Sequence, residues 1–165
     1  MASDTRVLLL RSWAQQRDYA ERLVADLSDA DMVSQPVPGV TMNHPAWVLG
    51  HLSAYPPVLT TMLSRLKPED PKDHPFGKES TPQGDISVYG SKESIVGDYL
   101  RVHDELAATL ERVDAAVLLD PIGVDRWRER FPTVLDASFY LMTSHESTHL
   151  GQLSAWRRAG GRPSV

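Results

Sequence analysis

The chain contains no cysteine. That excludes a disulfide framework, a thiolate metal site and a cysteine nucleophile. A basic face is missing too: 17 Lys and Arg stand against 22 Asp and Glu, for a formal net charge of -5. The only dense cationic cluster is Arg157, Arg158 and Arg162. A nucleic-acid partner needs a broad cationic surface to neutralise phosphates, so none is expected. No stretch approaches the ~20 apolar residues of a membrane span, so no membrane partner is expected either. The apolar run in the opening MASDTRVLLLRSW is too short for a secretory signal and sits among charges. The expectation is a cytoplasmic protein, and the absence of cysteine is compatible with a reducing compartment. No segment alternates strongly enough to read as a strand.

What is present is helical periodicity. The 165 residues suit one domain, 1–165, with a core large enough to need no staples. Four segments carry the helical period. The first, over about residues 4–27, places Leu9, Trp13, Ala20, Leu23 and Leu27 on one stripe, with Ser3 or Asp4 as its cap. The second starts at Asn43 or His44, ahead of Pro45, and runs towards Leu66. Its face carries Trp47, His51, Tyr55, Val58 and Met62, and Pro56 and Pro57 predict a kink or break. The third covers about 91–117, with Ile95, Tyr99, Leu106, Leu110, Val113 and Val117 inward. The fourth covers about 133–159, with Ser138, Met142, His145, His149, Gln152 and Trp156 on one face, and ends at Gly160 and Gly161. Two long connections, 67–90 and 118–132, join these segments, and loops of that length tend to be functional or mobile. The expected fold is all-α, a four-helix bundle with two long crossings.

The chemistry concentrates in His145-Glu146-Ser147-Thr148-His149. Residues four apart on a helix are turned by about 40° and lie about 6 Å apart, so two imidazoles there can converge on one ion. Neutral imidazole suits Zn, Ni, Cu or Fe. The plain alternative is a chance pair of hydrogen-bonded core histidines. However, burying two imidazoles side by side without partners would be costly. Read literally, the motif is that of a zinc protease with Glu146 as general base. That reading needs a downstream ligand, and no His, Asp or Glu follows His149.

A third ligand must therefore lie upstream, and His51, between Trp47 and Tyr55, is the leading candidate. His44 reads as a helix cap, while His74 and His103 read as solvated. Three histidines would leave coordination positions open, as catalytic sites do. Glu146 reads either as a base reaching a metal-bound water or as a solvated edge carboxylate. Gln152 reads as a hydrogen-bonding support for the site or as a packing amide. Trp47 and Tyr55 shape core or pocket wall.

These same residues carry a family resemblance. Trp47-Val48-Leu49-Gly50-His51-Leu52, followed by His145-Glu146-Ser147-Thr148-His149-Leu150-Gly151-Gln152-Leu153, resembles the DinB/YfiT-like superfamily, and Arg157-Arg158-Ala159-Gly160 is similar to that family's C-terminal end. The resemblance implies a four-helix bundle whose metal-binding triad, by position, is His51, His145 and His149, with one divalent ion (Zn, Ni, Fe or Mn) and frequent homodimers. It also implies relatives that are thiol-dependent enzymes, among them mycothiol-dependent maleylpyruvate isomerase and bacillithiol S-transferases; other members have been labelled metal-dependent hydrolases. Pro56-Pro57, just after His51, departs from the pattern.

The functional expectation is a transferase joining a low-molecular-weight thiol, as cosubstrate, to an electrophilic small molecule. A chain without cysteine must receive its sulfur from outside. The alternatives are a hydrolase using metal-bound water with Glu146 as base, and a non-enzymatic metal-binding stress-response protein. Arg157 or Arg158 is read as an exposed helix-end arginine or as a partner for a substrate carboxylate.

Overall fold

The computed structural model describes residues 2–165, with side chains from residue 5 onward. It is all-α; among the described residues there is no strand, only an isolated antiparallel bridge between Pro121 and Thr133. Helix α1 spans Ala2–Val24. It opens at Ala2, so Ser3 and Asp4 fall inside its first turn, and their expected capping lies outside the described side chains. The short α2, Asp29–Met32, was not foreseen. Its signal is the pair Ser28 and Asp31, which form a reciprocal capping box.

The second segment is two helices, α3 (Pro45–Ser53) and α4 (Pro56–Leu63). The break falls where Pro56 and Pro57 remove two backbone donors, and both sit in the first turn of the new helix, where those donors are not needed. Helix α5, Lys92–Arg112, is capped by Ser91 and stops short of residue 117; a 3₁₀ turn at Ala115–Leu119 takes over and still buries Val117.

The fourth segment is continuous in direction but not in pitch. Helix α6 (Val134–Phe139), capped by Thr133, passes through a π-helical stretch at Tyr140–His145 into α7 (Glu146–Ala159). A π turn holds an extra residue, so the stripe beyond it is rotated relative to an unbroken α-helix. The buried face of α7 is accordingly Glu146, Leu150, Leu153, Trp156 and Arg157. His145, His149 and Gln152, expected on that face, lie half-buried beside it.

The packing forms a closed ring. Helix α1 lies against α5 and α7, while α3 and α4 lie against α5 on one side and α7 and α6 on the other. Two apolar clusters fill the interior. One, around Leu59, Leu106 and Trp127, sits between α4, α5 and α6. The other, around Trp47, Leu49, Tyr99, Leu153 and Trp156, sits between α3, α5 and α7. His51 packs on Trp47 of one cluster and Tyr55 of the other. Among the described residues, no helix is long and apolar enough to cross a membrane.

Candidate metal centre

Three side chains meet where α3 faces the π turn. One ligand-capable nitrogen from each of His51, His145 and His149 lies within 4.8 Å of the others. His51 Nε2 and His145 Nε2 are 3.1 Å apart. Nitrogens bound about 2.0–2.1 Å from a tetrahedral ion stand about 3.3 Å from each other, so the spacing fits a shared ion. The group can therefore hold a metal.

The hydrogen bonds select the tautomers this requires. His51 Nδ1 is 2.6 Å from the carbonyl oxygen of Phe76. A carbonyl only accepts, so Nδ1 carries the proton and the Nε2 lone pair faces the cluster. His149 Nδ1 likewise donates to Gln152 Oε1 at 3.0 Å, and Asn43 Nδ2 donates to the same oxygen at 2.9 Å. Gln152 thus touches one of the three histidines and holds its ring in place. The parallel indole of Trp47, 4.7 Å from the His51 ring, is anchored through Nε1 to Ser80 Oγ.

Burial disfavours the charged imidazolium, and the mutual repulsion of the rings adds to this. His51 is held down at about 4, first by desolvation and then by His149. His145 is held down at about 3 by desolvation, His149, His51 and Arg130. His149 is lowered by desolvation, with Gln152 and Glu146 opposing. All three are neutral near pH 7, the state a metal ligand must have.

The long 67–90 connection is a working part of the site. Phe76 supplies the carbonyl to His51, Ser80 holds Trp47, and the Gln83 carbonyl accepts from His44 Nε2 at 2.8 Å. His44 is the expected cap of α3: its Nδ1 accepts from the Trp47 backbone N–H. Gly50 lets the strap close, since a Cβ there would stand 2.8 Å from Phe76 Cδ2. From the other side, Gln16 of α1 supports the π turn. Its Nε2 donates to the Met142 carbonyl at 2.7 Å and its Oε1 accepts from Ser147 Oγ at 2.8 Å. A wider turn leaves carbonyls poorly paired, and Gln16 satisfies one. Neither the strap's role nor that of Gln16 has a sequence signature, because both depend on distant segments meeting.

Three expectations about side chains are corrected. His103 is not solvated: it is fully buried, stacked on Trp13 at 3.8 Å, with Nδ1 against the Tyr99 carbonyl and Nε2 3.0 Å from Glu146 Oε1. Glu146 is not a solvated edge carboxylate. It is buried, its Oε1 also accepts from Tyr99 Oη at 2.6 Å, and it does not line the histidine cavity. Arg157 is not an exposed helix-end cation either. It is 2% exposed, paired with Asp26 and donating to the Leu23 carbonyl. The phase shift at the π turn accounts for Glu146, and the fold-back of 160–165, where the Pro163 carbonyl accepts from Arg157 and Arg162 pairs with Asp31 of α2, for Arg157. Arg158 and His74 are exposed, as read.

The histidines open onto a cavity of about 410 Å³ walled by Trp47, Tyr55, Trp127, Phe131 and Tyr140. Volumes of this order accept small organic molecules. A ring of helices with three neutral imidazoles opening onto an aromatic cavity defines an all-α protein whose histidines could hold a metal ion. The profile of the DinB superfamily matches residues 12–153, and the chain belongs to that family. No curated protein matches it significantly.

Proposed function

We propose that the protein is a metal-dependent transferase that joins a low-molecular-weight thiol to an electrophilic small molecule. The observation carrying this reading is that three neutral histidines converge beside an open, aromatic-walled cavity in a chain that has no sulfur nucleophile of its own. His51, His145 and His149 would hold the ion, which when bound supplies Lewis-acid chemistry and lowers the pKa of an incoming thiol. The Phe76 carbonyl and Gln152 keep Nδ1 of two rings protonated and so aim Nε2 at the ion. The aromatic walls exclude water and position the electrophile's apolar body. The hydrolase alternative loses support, because the base it requires, Glu146, is engaged by Tyr99 and His103 away from the cavity. We take the working unit to be a cytoplasmic homodimer acting on a small molecule, on the resemblance alone; light scattering on the purified protein tests the dimer.

The first test is metal content by mass spectrometry, beside a His51→Ala variant, followed by titration of the Co(II)-loaded protein with small thiols. About one equivalent of metal lost in the variant, and a new near-ultraviolet charge-transfer band on adding thiol, are the expected results. Metal without such a band, and no turnover with any biological thiol, would remove the transferase reading while leaving the metal site.

A further inference from the structure

The histidine cavity has the opposite charge to the molecule around it. The chain carries a formal charge of -5. Yet among the described residues the cavity is lined by Lys78, Arg126 and Arg130 and by no Asp or Glu. Arg126 is neutralised, with Nε 2.7 and 2.8 Å from the two carboxylate oxygens of Asp70. Arg130 and Lys78 are not: neither side chain forms an ion pair or hydrogen bond among the described residues.

Arg130 is nevertheless held in place. Its guanidinium lies 4.2 Å from the Tyr140 ring centroid and 5.2 Å from that of Phe131. Stacking of this kind orients a cation without cancelling its charge. Arg130 and His145 line the same cavity. Imidazoles are neutral ligands, so a dication bound by three of them would add positive charge that no lining side chain offsets. The missing countercharge has to come from solution.

We propose that the cavity binds a planar organic carboxylate, its anionic group paired with the Arg130 guanidinium and flanked by Lys78, and its conjugated body lying against Tyr55, Trp127 and Tyr140. A guanidinium fork matches a carboxylate with two parallel hydrogen bonds, and flat ring walls favour a flat ligand. This rests on the transferase reading and narrows its substrate class. The carboxylate belongs either to the electrophile or to the thiol, and the experiment separates the two.

Tryptophan fluorescence, reporting Trp47 and Trp127, would follow binding of trans-cinnamate and of its neutral isostere cinnamamide to the purified protein. A parallel pair is mercaptoacetate against 2-mercaptoethanol. One of the two anions should bind about tenfold or more tightly than its neutral partner, the size of a charge-assisted hydrogen bond. That preference should collapse in Arg130→Ala, survive in part in Arg130→Lys, and persist in Arg128→Ala, whose parent residue pairs with Asp125 outside the cavity. Which pair responds assigns the carboxylate to electrophile or thiol. Circular dichroism controls for folding, and Lys78→Ala provides a second, smaller loss at an exposed position.

The same titrations after chelation, with metal measured in each sample, separate this proposal from the metal reading. A preference that vanishes with the metal but ignores Arg130→Ala would overturn the proposal, because the ion would then be the anion's only anchor. A metal-loaded protein with no anion preference would overturn it while sparing the metal site. A chelated protein that keeps an Arg130-dependent preference would uphold it and leave the metal reading to the metal-content measurement.

Discussion

Metal-free protein should lose stability steeply between about pH 7.5 and pH 5, and two named histidines should account for most of the slope. His51 and His145 have native pKa values of about 4 and about 3, against about 6.5 in an unfolded chain. Their native values are depressed, so below pH 6.5 the unfolded state binds protons that the folded state refuses. Stability then rises with pH across that window and falls as the solution is acidified. At pH 5 both native values still lie below the solution pH, so the loss is set by the unfolded chain. It amounts to about 1.5 pH units at about 1.4 kcal/mol each, or about 2 kcal/mol per histidine. The two together contribute about 4 kcal/mol, and His149, lowered as well, adds in the same direction. Urea titrations in chelator at the two pH values would measure the change in the parent and in a His51→Gln, His145→Gln double variant. Acidic groups such as Asp26 and Asp31, whose carboxyls are held low by Arg157 and by Ser28, contribute equally to both proteins and cancel. The parent should lose about 4 kcal/mol more than the variant. Equal losses would refute the reasoning, since the rings could then not be buried and neutral as described.

Three further outcomes follow from the same contacts. Gly50→Ala should push Phe76 away and pull its carbonyl from His51 Nδ1, weakening metal affinity about 10–100-fold in calorimetry with the helical spectrum unchanged; unaltered affinity would show that the strap does not orient His51. Gln152→Leu frees His149 Nδ1 and should cost metal affinity by a similar factor of about 10 or more, with Gln152→Glu restoring much of it. Arg157→Met removes the guanidinium shared by Asp26, Leu23 and Pro163. It should lower unfolding free energy by about 2 kcal/mol in urea, because Asp26 stays half-exposed and only the hydrogen bonds are lost.

Much of the molecule is legible in one dimension. The stripe of Leu9, Trp13, Ala20, Leu23 and Leu27 is buried as its period requires, and the cap at Ser91 and the break at Pro56 fall where local stereochemistry puts them. These features depend on residues within a turn or two of each other, which is why sequence spacing finds them. His145 and His149 were visible for the same reason, being one helical turn apart.

Other features were not legible. A count of 3.6 residues per turn runs through 140–145 without registering the π turn, so it gave neither the burial of Glu146 nor its partner His103. Nothing near Arg157 in the chain announces that residues 160–165 and α1 will enclose it.

The sequence by itself determined the helical class, the breaks and caps, the absence of a sulfur nucleophile, and three histidines as candidates. Only the tertiary structure decided that His51 meets the other two, which nitrogen each ring presents, and that Glu146 belongs to a buried network with Tyr99 and His103. The physical reason is range. Backbone preference and periodicity act between neighbours in the chain, whereas the His51 tautomer, the burial of the site and its support come from groups 25 to 131 positions away, such as the Phe76 carbonyl facing His51 and Gln16 facing Ser147. Those groups come into contact only when the ring of helices closes.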